Sequence, residues 1–242
     1  MAGSKLIDDI IAGNRRPVSM KVVFVDVHAF SKRRSRNQAE VIDAFVSSVR
    51  EALERLSGHC GDSAVASGID LRDDLITASS GDGVAIAFPF EEFPSIHLDF
   101  ARTLLDVVHR RNRQTGCERF NANGWCNCHP SFDLSVGVAA DRGVIFRDLN
   151  GNCNVAGNTI NMASCVRQLS GPRRIFFSEE AYRAIIDEVD DPALNENFRL
   201  FECVGIKHGH RINVYQYMEP GCEFIDSSPP RDLALCAHID RG

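Results

Sequence analysis

No apolar run in this 242-residue chain approaches the roughly 18 residues of a membrane span. Positive charge is also short. The 27 Lys and Arg stand against 33 Asp and Glu, a net charge of −6, so the chain lacks the global basic field that holds a protein on nucleic acid or an anionic membrane. Any phosphate chemistry must be local. The opening "MAGSKLIDDIIAGNRRP" is unlike a signal peptide, because it carries acidic residues inside its short apolar stretch. These absences predict a soluble, cytoplasmic protein with no nucleic-acid or membrane partner. The nine cysteines are an odd number with no export signal, which fits reduced thiols and not a disulfide framework. What is present is ordinary for a globular chain: 44% hydrophobic and 25% charged residues, enough to build a substantial core. No repeat and no long linker divides the sequence, so one domain is expected.

The run "VSMKVVFVDVHAF" (18–30) is nearly continuous and valine-rich, which predicts a strand buried on both faces. After the polar "SKRRSRNQ", Val41, Ile42, Phe45, Val46, Val49, Leu53 and Leu56 recur at helical spacing. "DLITASSGDGVAIAF" (74–88) predicts a hairpin with Asp82 at its tip, since the flanking glycines supply the positive φ of a tight turn. A helix from about 96 to 111 is expected next, then a loop insert "RNRQTGCERFNANGWCNCHP". "FDLSVGVAADRGVIFRDLNGN" (132–152) reads as a second hairpin, turning at Asp141-Arg142-Gly143. A helix over 158–169, a short strand "RRIFFS", a helix capped by Ser178 and a closing strand pair complete the pattern.

Asp26 ends a buried strand, where a carboxylate is costly unless a cation or hydrogen-bond donors meet it. Either Asp26 or Asp82 alone reads as turn chemistry. Together, with the backbone carbonyl of Val27, they offer the hard oxygen ligands that Mg²⁺ or Mn²⁺ prefers. The loop running through Phe30 and Ser31 leads to a helix start, whose backbone N–H groups suit a triphosphate. His28 beside Asp26 reads more simply as filling the strand end, and "SKRRSR" either as a solvated charge run or as a contact to that triphosphate.

"FVDVHAFS", "SSGDGVAIAF", "LSVGVAADRGVIF", "NVAGNTINMASCV" and "IKHGHRINVYQY" resemble, in that order, the motif series of the class III nucleotidyl cyclases, over about residues 20 to 217. Within that family the chain is most similar to the bacterial Pycsar pyrimidine cyclases of anti-phage defence, partly through the insert ending "WCNCHPSF". The resemblance implies an α/β (α+β) ferredoxin-like core with a mainly antiparallel sheet, spanning 18–218 between a leader (1–17) and a tail (219–242). It implies a head-to-tail homodimer with active sites at the interface. The activity implied is conversion of a nucleoside triphosphate, UTP favoured, to the 3′,5′-cyclic monophosphate and pyrophosphate. Two divalent cations (Mg²⁺ or Mn²⁺) would assist, and a separate cyclic-nucleotide effector would read the product. Asp26, Val27 and Asp82 match the metal-binding positions, and Asn161 matches an asparagine that reaches the nucleotide from the partner. Lys207 falls where the family has a triphosphate-binding lysine, with Arg211 as its rival because "KHGH" blurs the register.

Three departures mark this chain. The purine-selecting lysine is replaced by Ala78, and the purine-selecting aspartate by Asn154. An asparagine amide can pair with a pyrimidine edge, or it can turn back on its own backbone. Cys165 stands where the family carries an arginine that stabilises transition-state charge, which a thiol cannot do. Arg167 is two residues on, roughly 200° around a helix, so it points elsewhere, leaving Arg142 and Arg147 as candidate replacements. Finally, Cys117, Cys126, Cys128 and His129 suggest zinc by residue type. The one-residue gap between Cys126 and Cys128 and the lack of a second Cys-x-x-Cys or His pair argue instead for a packed insert around Trp125.

Overall fold

The valine-rich run becomes β1 (Val18–Val27), the strand on which the molecule is built. Its side chains alternate between two cores, as the two-residue period of a strand requires. Val23, Val25 and Val27 enter the larger core, while Met20, Val22 and Phe24 enter a second one on the other face. Both neighbours of β1 are antiparallel: β3 (Gly83–Phe88) on one side and β4 (Leu134–Arg147) on the other.

The computed structural model describes residues 4–13, 16–71, 73–189, 191–206, 209–230 and 233. Before β1 lies α1 (Lys5–Ala12), and after it a 3₁₀ turn (Phe30–Lys32), α2 (Ser35–Ser67) and β2 (Ile76–Ser79). Between β3 and β4 come α3 (Ile96–Thr115) and α4 (Glu118–Asn123). Following β4 are β5 (Cys153–Ala156), α5 (Asn158–Ser170), β6 (Ile175–Ser178) and α6 (Glu179–Ile186). The elements end with α7 (Pro192–Glu196), β7 (Phe198–Gly205) and β8 (Arg211–Tyr217). The sheet runs β2-β3-β1-β4-β6-β8-β7, with β5 added to β4 off that path, and among the described residues only β4 and β6 pair in parallel. The fold is therefore mixed α/β on a mainly antiparallel sheet, as expected. α2 and α3 pack together over the larger core, and α5 crosses β4 and β1 on the other face.

The second hairpin is not where the sequence pattern put it. β4 continues straight through Asp141-Arg142-Gly143, because β1 is long enough to pair with it from Val27↔Leu134 to Val18↔Gly143. Gly143 serves packing and not a turn: a Cβ there would stand 2.8 Å from the Met20 sulfur. The reversal comes at 148–152, where Asp148 Oδ1 accepts from the N–H of Asn150 and of Asn152 and Gly151 takes φ +80°. That turn aligns β4 with β5.

The insert also differs from a plain loop, since α4 lies within it. Its buried centre is Cys117, Phe120 and Cys126, with Trp125 only half-buried. The flanking segments are tied to this body as well: Ile7 of α1 is buried against Met20's core, and Glu219 after β8 forms a two-point ion pair with Arg102 of α3. Among the described residues no helix is long and apolar enough to cross a membrane.

Candidate functional site

Asp26 continues the even-numbered series Met20, Val22, Phe24 and so projects to the face covered by α5. There it meets Arg167, whose Nη1 lies 3.0 Å from Asp26 Oδ2 and whose guanidinium sits 5.8 Å from the centre of the Phe24 ring. The contact is possible because α5 lies directly on β4 at Gly137. A Cβ at Gly137 would come within 2.2 Å of Arg167 N and 2.3 Å of Ala163 O. Arg167 thus belongs to the sheet-facing stripe of α5 with Ala163, Val166 and Ser170. The helical-wheel expectation that Arg167 points away from the Cys165 face holds, and its destination is Asp26 of the same chain.

Asp82 occupies the tight β2–β3 turn, fastened to β1 by Val27 N–H donating to Asp82 O at 3.1 Å. Gly83 permits the approach, since a Cβ there would meet Val25 O at 2.6 Å and Asp26 Oδ1 at 3.0 Å. The two carboxylates are electrostatic neighbours. Burial raises the Asp26 carboxyl to about 6, Arg167 opposes the rise, and the charge of Asp82 adds to it. This is a pair of hard oxygen donors in want of positive charge, with Val27 at the strand end beside them, and the donor set fits Mg²⁺ or Mn²⁺.

The loop after β1 is tightly held. His28 N–H donates to Asp133 O at 2.8 Å, and Ala29 takes the left-handed φ of 56° before the turn that contains Phe30 and Ser31. Ser31 is exposed, while Phe30 packs against the larger core. His28 is held below its ordinary pKa by burial and then by Lys32 and Arg33. Arg33 is not available to a phosphate. It is buried, donating from Nη1 to Asn37 Oδ1 and Cys126 O and from Nη2 to Ser131 O.

A second cluster forms on the other side of α5. Asn161 and Cys165, one helical turn apart, line a groove of about 580 Å³ with Asn158, Met162, Arg211 and Ile212. The sequence-predicted residues Asn161, Cys165 and Arg211 are therefore brought together, while Lys207 lies outside the described residues. Asp26 and Asp82 do not line this groove.

Ala78 and Asn154 sit on β2 and β5, which lie against one another. Of the two arrangements open to Asn154, the amide turns back: Oδ1 accepts from Val155 N–H at 2.8 Å. Its Nδ2 has no partner among the described residues. Neither candidate replacement for the missing arginine reaches these clusters. Arg142 donates to Pro17 O, and Arg147 pairs with Asp8 and donates to Gly151 O. Arg167, set aside on helical angle, is the cation the sequence reading missed. The signal was in the sequence, in its four-residue spacing from Ala163 and the alternation that carries Asp26 to the Phe24 face.

No family model matches the chain, and no curated protein does. Solved structures do. The guanylate cyclase domain of RhGC from Catenaria anguillulae, in complex with GTP, superposes with a TM-score of 0.58 at 14% identity, covering 83% of this chain and 96% of that one. The adenylyl cyclase CyaB from P. aeruginosa gives 0.58 at 14%, covering 84% and 95%. An adenylate/guanylate cyclase/hydrolase from Silicibacter pomeroyi gives 0.56 at 15%, covering 85% and 99%. The chain has the class III nucleotidyl cyclase fold. Nearly the whole of each of these cyclase structures is matched.

Proposed function

We propose that the protein is a metal-dependent nucleotidyl cyclase that works as a head-to-tail homodimer and converts UTP to 3′,5′-cyclic UMP and pyrophosphate. The observation that carries this is the division of the site. Asp26 and Asp82 meet at one end of β1, and Asn161, Cys165 and Arg211 line a separate groove. Two half-sites on one chain become whole sites when a second copy sets its groove over the carboxylates.

Asp26, the Val27 carbonyl and Asp82 would hold two divalent cations, which supply activation of the ribose 3′-hydroxyl and neutralisation of the departing pyrophosphate. The chain's own residues do the rest. Asn161 of one protomer orients the ribose and α-phosphate, Lys207 and Arg211 engage the triphosphate, and the 29–31 turn faces its oxygens. Ala78 leaves no cation to read a purine. The unpartnered Nδ2 of Asn154 is a donor, which suits the 4-carbonyl of uracil and meets the 4-amino group of cytosine as a second donor. The mismatch costs on the order of 1 to 3 kcal/mol. The product would act as a second messenger in anti-phage defence, read by a separate effector.

Cys165 and the ion pair between Arg167 and Asp26 favour one rival, a nucleotide-binding regulatory protein without turnover. Equimolar ATP, GTP, CTP and UTP incubated with the protein and Mn²⁺, with products resolved by mass, separates the readings. Dominant cyclic UMP supports the proposal, and dominant cyclic CMP overturns only the choice of uracil. Cyclic AMP or cyclic GMP as the main product overturns the pyrimidine assignment. Nucleotide binding with no cyclic product supports the regulatory rival.

A further inference from the structure

We propose that Cys117, Cys126, Cys128 and His129 form a closed zinc site in the insert between α3 and β4, separate from the active-site carboxylates. The fold gathers residues that the sequence spacing seemed to scatter. α4 lies between Cys117 and the Cys126–His129 run, and Gly124 at its end takes φ +70°, reversing the chain so that the run returns to Cys117. The Cys117 sulfur then lies 3.7 Å from that of Cys126 and 3.4 Å from that of Cys128. A ring nitrogen of His129 lies within 4.8 Å of the Cys117 and Cys128 sulfurs.

These separations have a chemical meaning. Ligands about 2.3 Å from a tetrahedral zinc stand about 3.8 Å from one another, and the thiols here are free and not bonded in pairs. The Cys117 and Cys128 sulfurs and the His129 ring lie within 4.8 Å of one another, and the Cys126 sulfur, close to Cys117 but outside that mutual distance and donating to His129 O, would turn in as the fourth ligand to give the Cys₃His composition of a structural site. Soft thiolates also separate this site from the hard-oxygen pair Asp26 and Asp82, so the two would take different metals.

The insert also needs such a ligand. Its own core is three side chains, Cys117, Phe120 and Cys126, too little apolar surface to order some twenty residues without a staple. Ordering it has a consequence for the loop after β1. Arg33 donates to Cys126 O, Asn37 to His129 O, and Arg34 N–H to the Asn127 side chain. The zinc loop therefore clamps the segment that follows Asp26.

The test uses the full-length protein purified under reducing conditions, with Zn²⁺ and Co²⁺ as probes. About one zinc per chain is expected, and Co²⁺ should give the intense thiolate charge-transfer and visible bands of tetrahedral sulfur coordination. Cys128→Ser alters an exposed side chain, so the fold should survive, while zinc affinity falls at least about tenfold. Asp26→Ala should keep the zinc, which separates this site from the proposed catalytic metals. Reduced wild-type protein that shows no thiolate bands with Co²⁺ would overturn the proposal. So would a folded Cys128→Ser variant that binds zinc as tightly as wild type.

Discussion

Replacing Arg167 by methionine should shift the pH at which the protein takes up Mn²⁺, and the direction follows from the surroundings of Asp26. Three influences act on that carboxyl: burial raises its pKa, Arg167 lowers it, and Asp82 raises it, leaving it at about 6. Methionine keeps the packing over Phe24 but removes the lowering influence of Arg167. Unit charges about 4 Å apart attract by about 4 kcal/mol at an effective dielectric of 20 and about 1 kcal/mol in water. The Asp26 side chain is 18% exposed and its Arg167 contact is 3.0 Å, so partial screening applies. At 1.36 kcal/mol per unit, the carboxyl should rise by about 1 to 2 units.

Metal binds the ionised carboxylate, so the midpoint of Mn²⁺ uptake should move from near the wild-type value of about 6 to about 7 or 8. Far above that midpoint both proteins are ionised, and the variant, freed of a competing guanidinium, should bind Mn²⁺ more tightly than wild type. Titrating Mn²⁺ by its free-ion EPR signal between about pH 5 and pH 9 reads both effects. An unchanged midpoint in a folded Arg167→Met protein would refute the claim that Arg167 sets the charge of Asp26.

Two further outcomes test the packing and the base. Gly137→Ala places a methyl 2.2 Å from the Arg167 backbone nitrogen and should destabilise by about 3 kcal/mol or more. For a chain of this size that lowers Tm by at least about 6 °C, and a thermal midpoint within error of wild type would contradict the close α5–β4 contact. Asn154→Asp removes the amide donor and adds charge, so its UTP preference over CTP should fall by about tenfold, the equivalent of roughly 1.4 kcal/mol. Competition between the two substrates, scored by product mass, checks it, and an undiminished preference would remove Asn154 from base selection.

How far the sequence carried these conclusions depends on the residue. The strand ending in Asp26, the hairpin tip at Asp82 and the helix bearing Asn161 and Cys165 are written in local patterns, namely an apolar run, glycine turns and a four-residue spacing. Those patterns are the ones the structure obeys. The misplaced turn at 141–143 shows where local reading fails. Asp-Arg-Gly is turn-like in isolation, but the ten residues of β1 extend β4 past it by pairing. The Cys-rich insert fails in the opposite way, because a short helix brings Cys117 back to Cys128, a contact that spacing along the chain does not announce. Arg167 needed both a helix face and a strand face to be combined before its partner could be named.

The shared site is tested most directly by mixing Asp82→Ala protein with Asn161→Ala protein under conditions that allow subunits to exchange. Each variant alone lacks one half of both sites and should be inactive. In the mixed dimer one site carries both substitutions and the other carries neither. Random exchange makes about half of the dimers mixed, each with one intact site of two, so cyclase activity should return to about a quarter of wild type. Dimers shown to have exchanged, yet with no recovered activity, would contradict a site built from two chains.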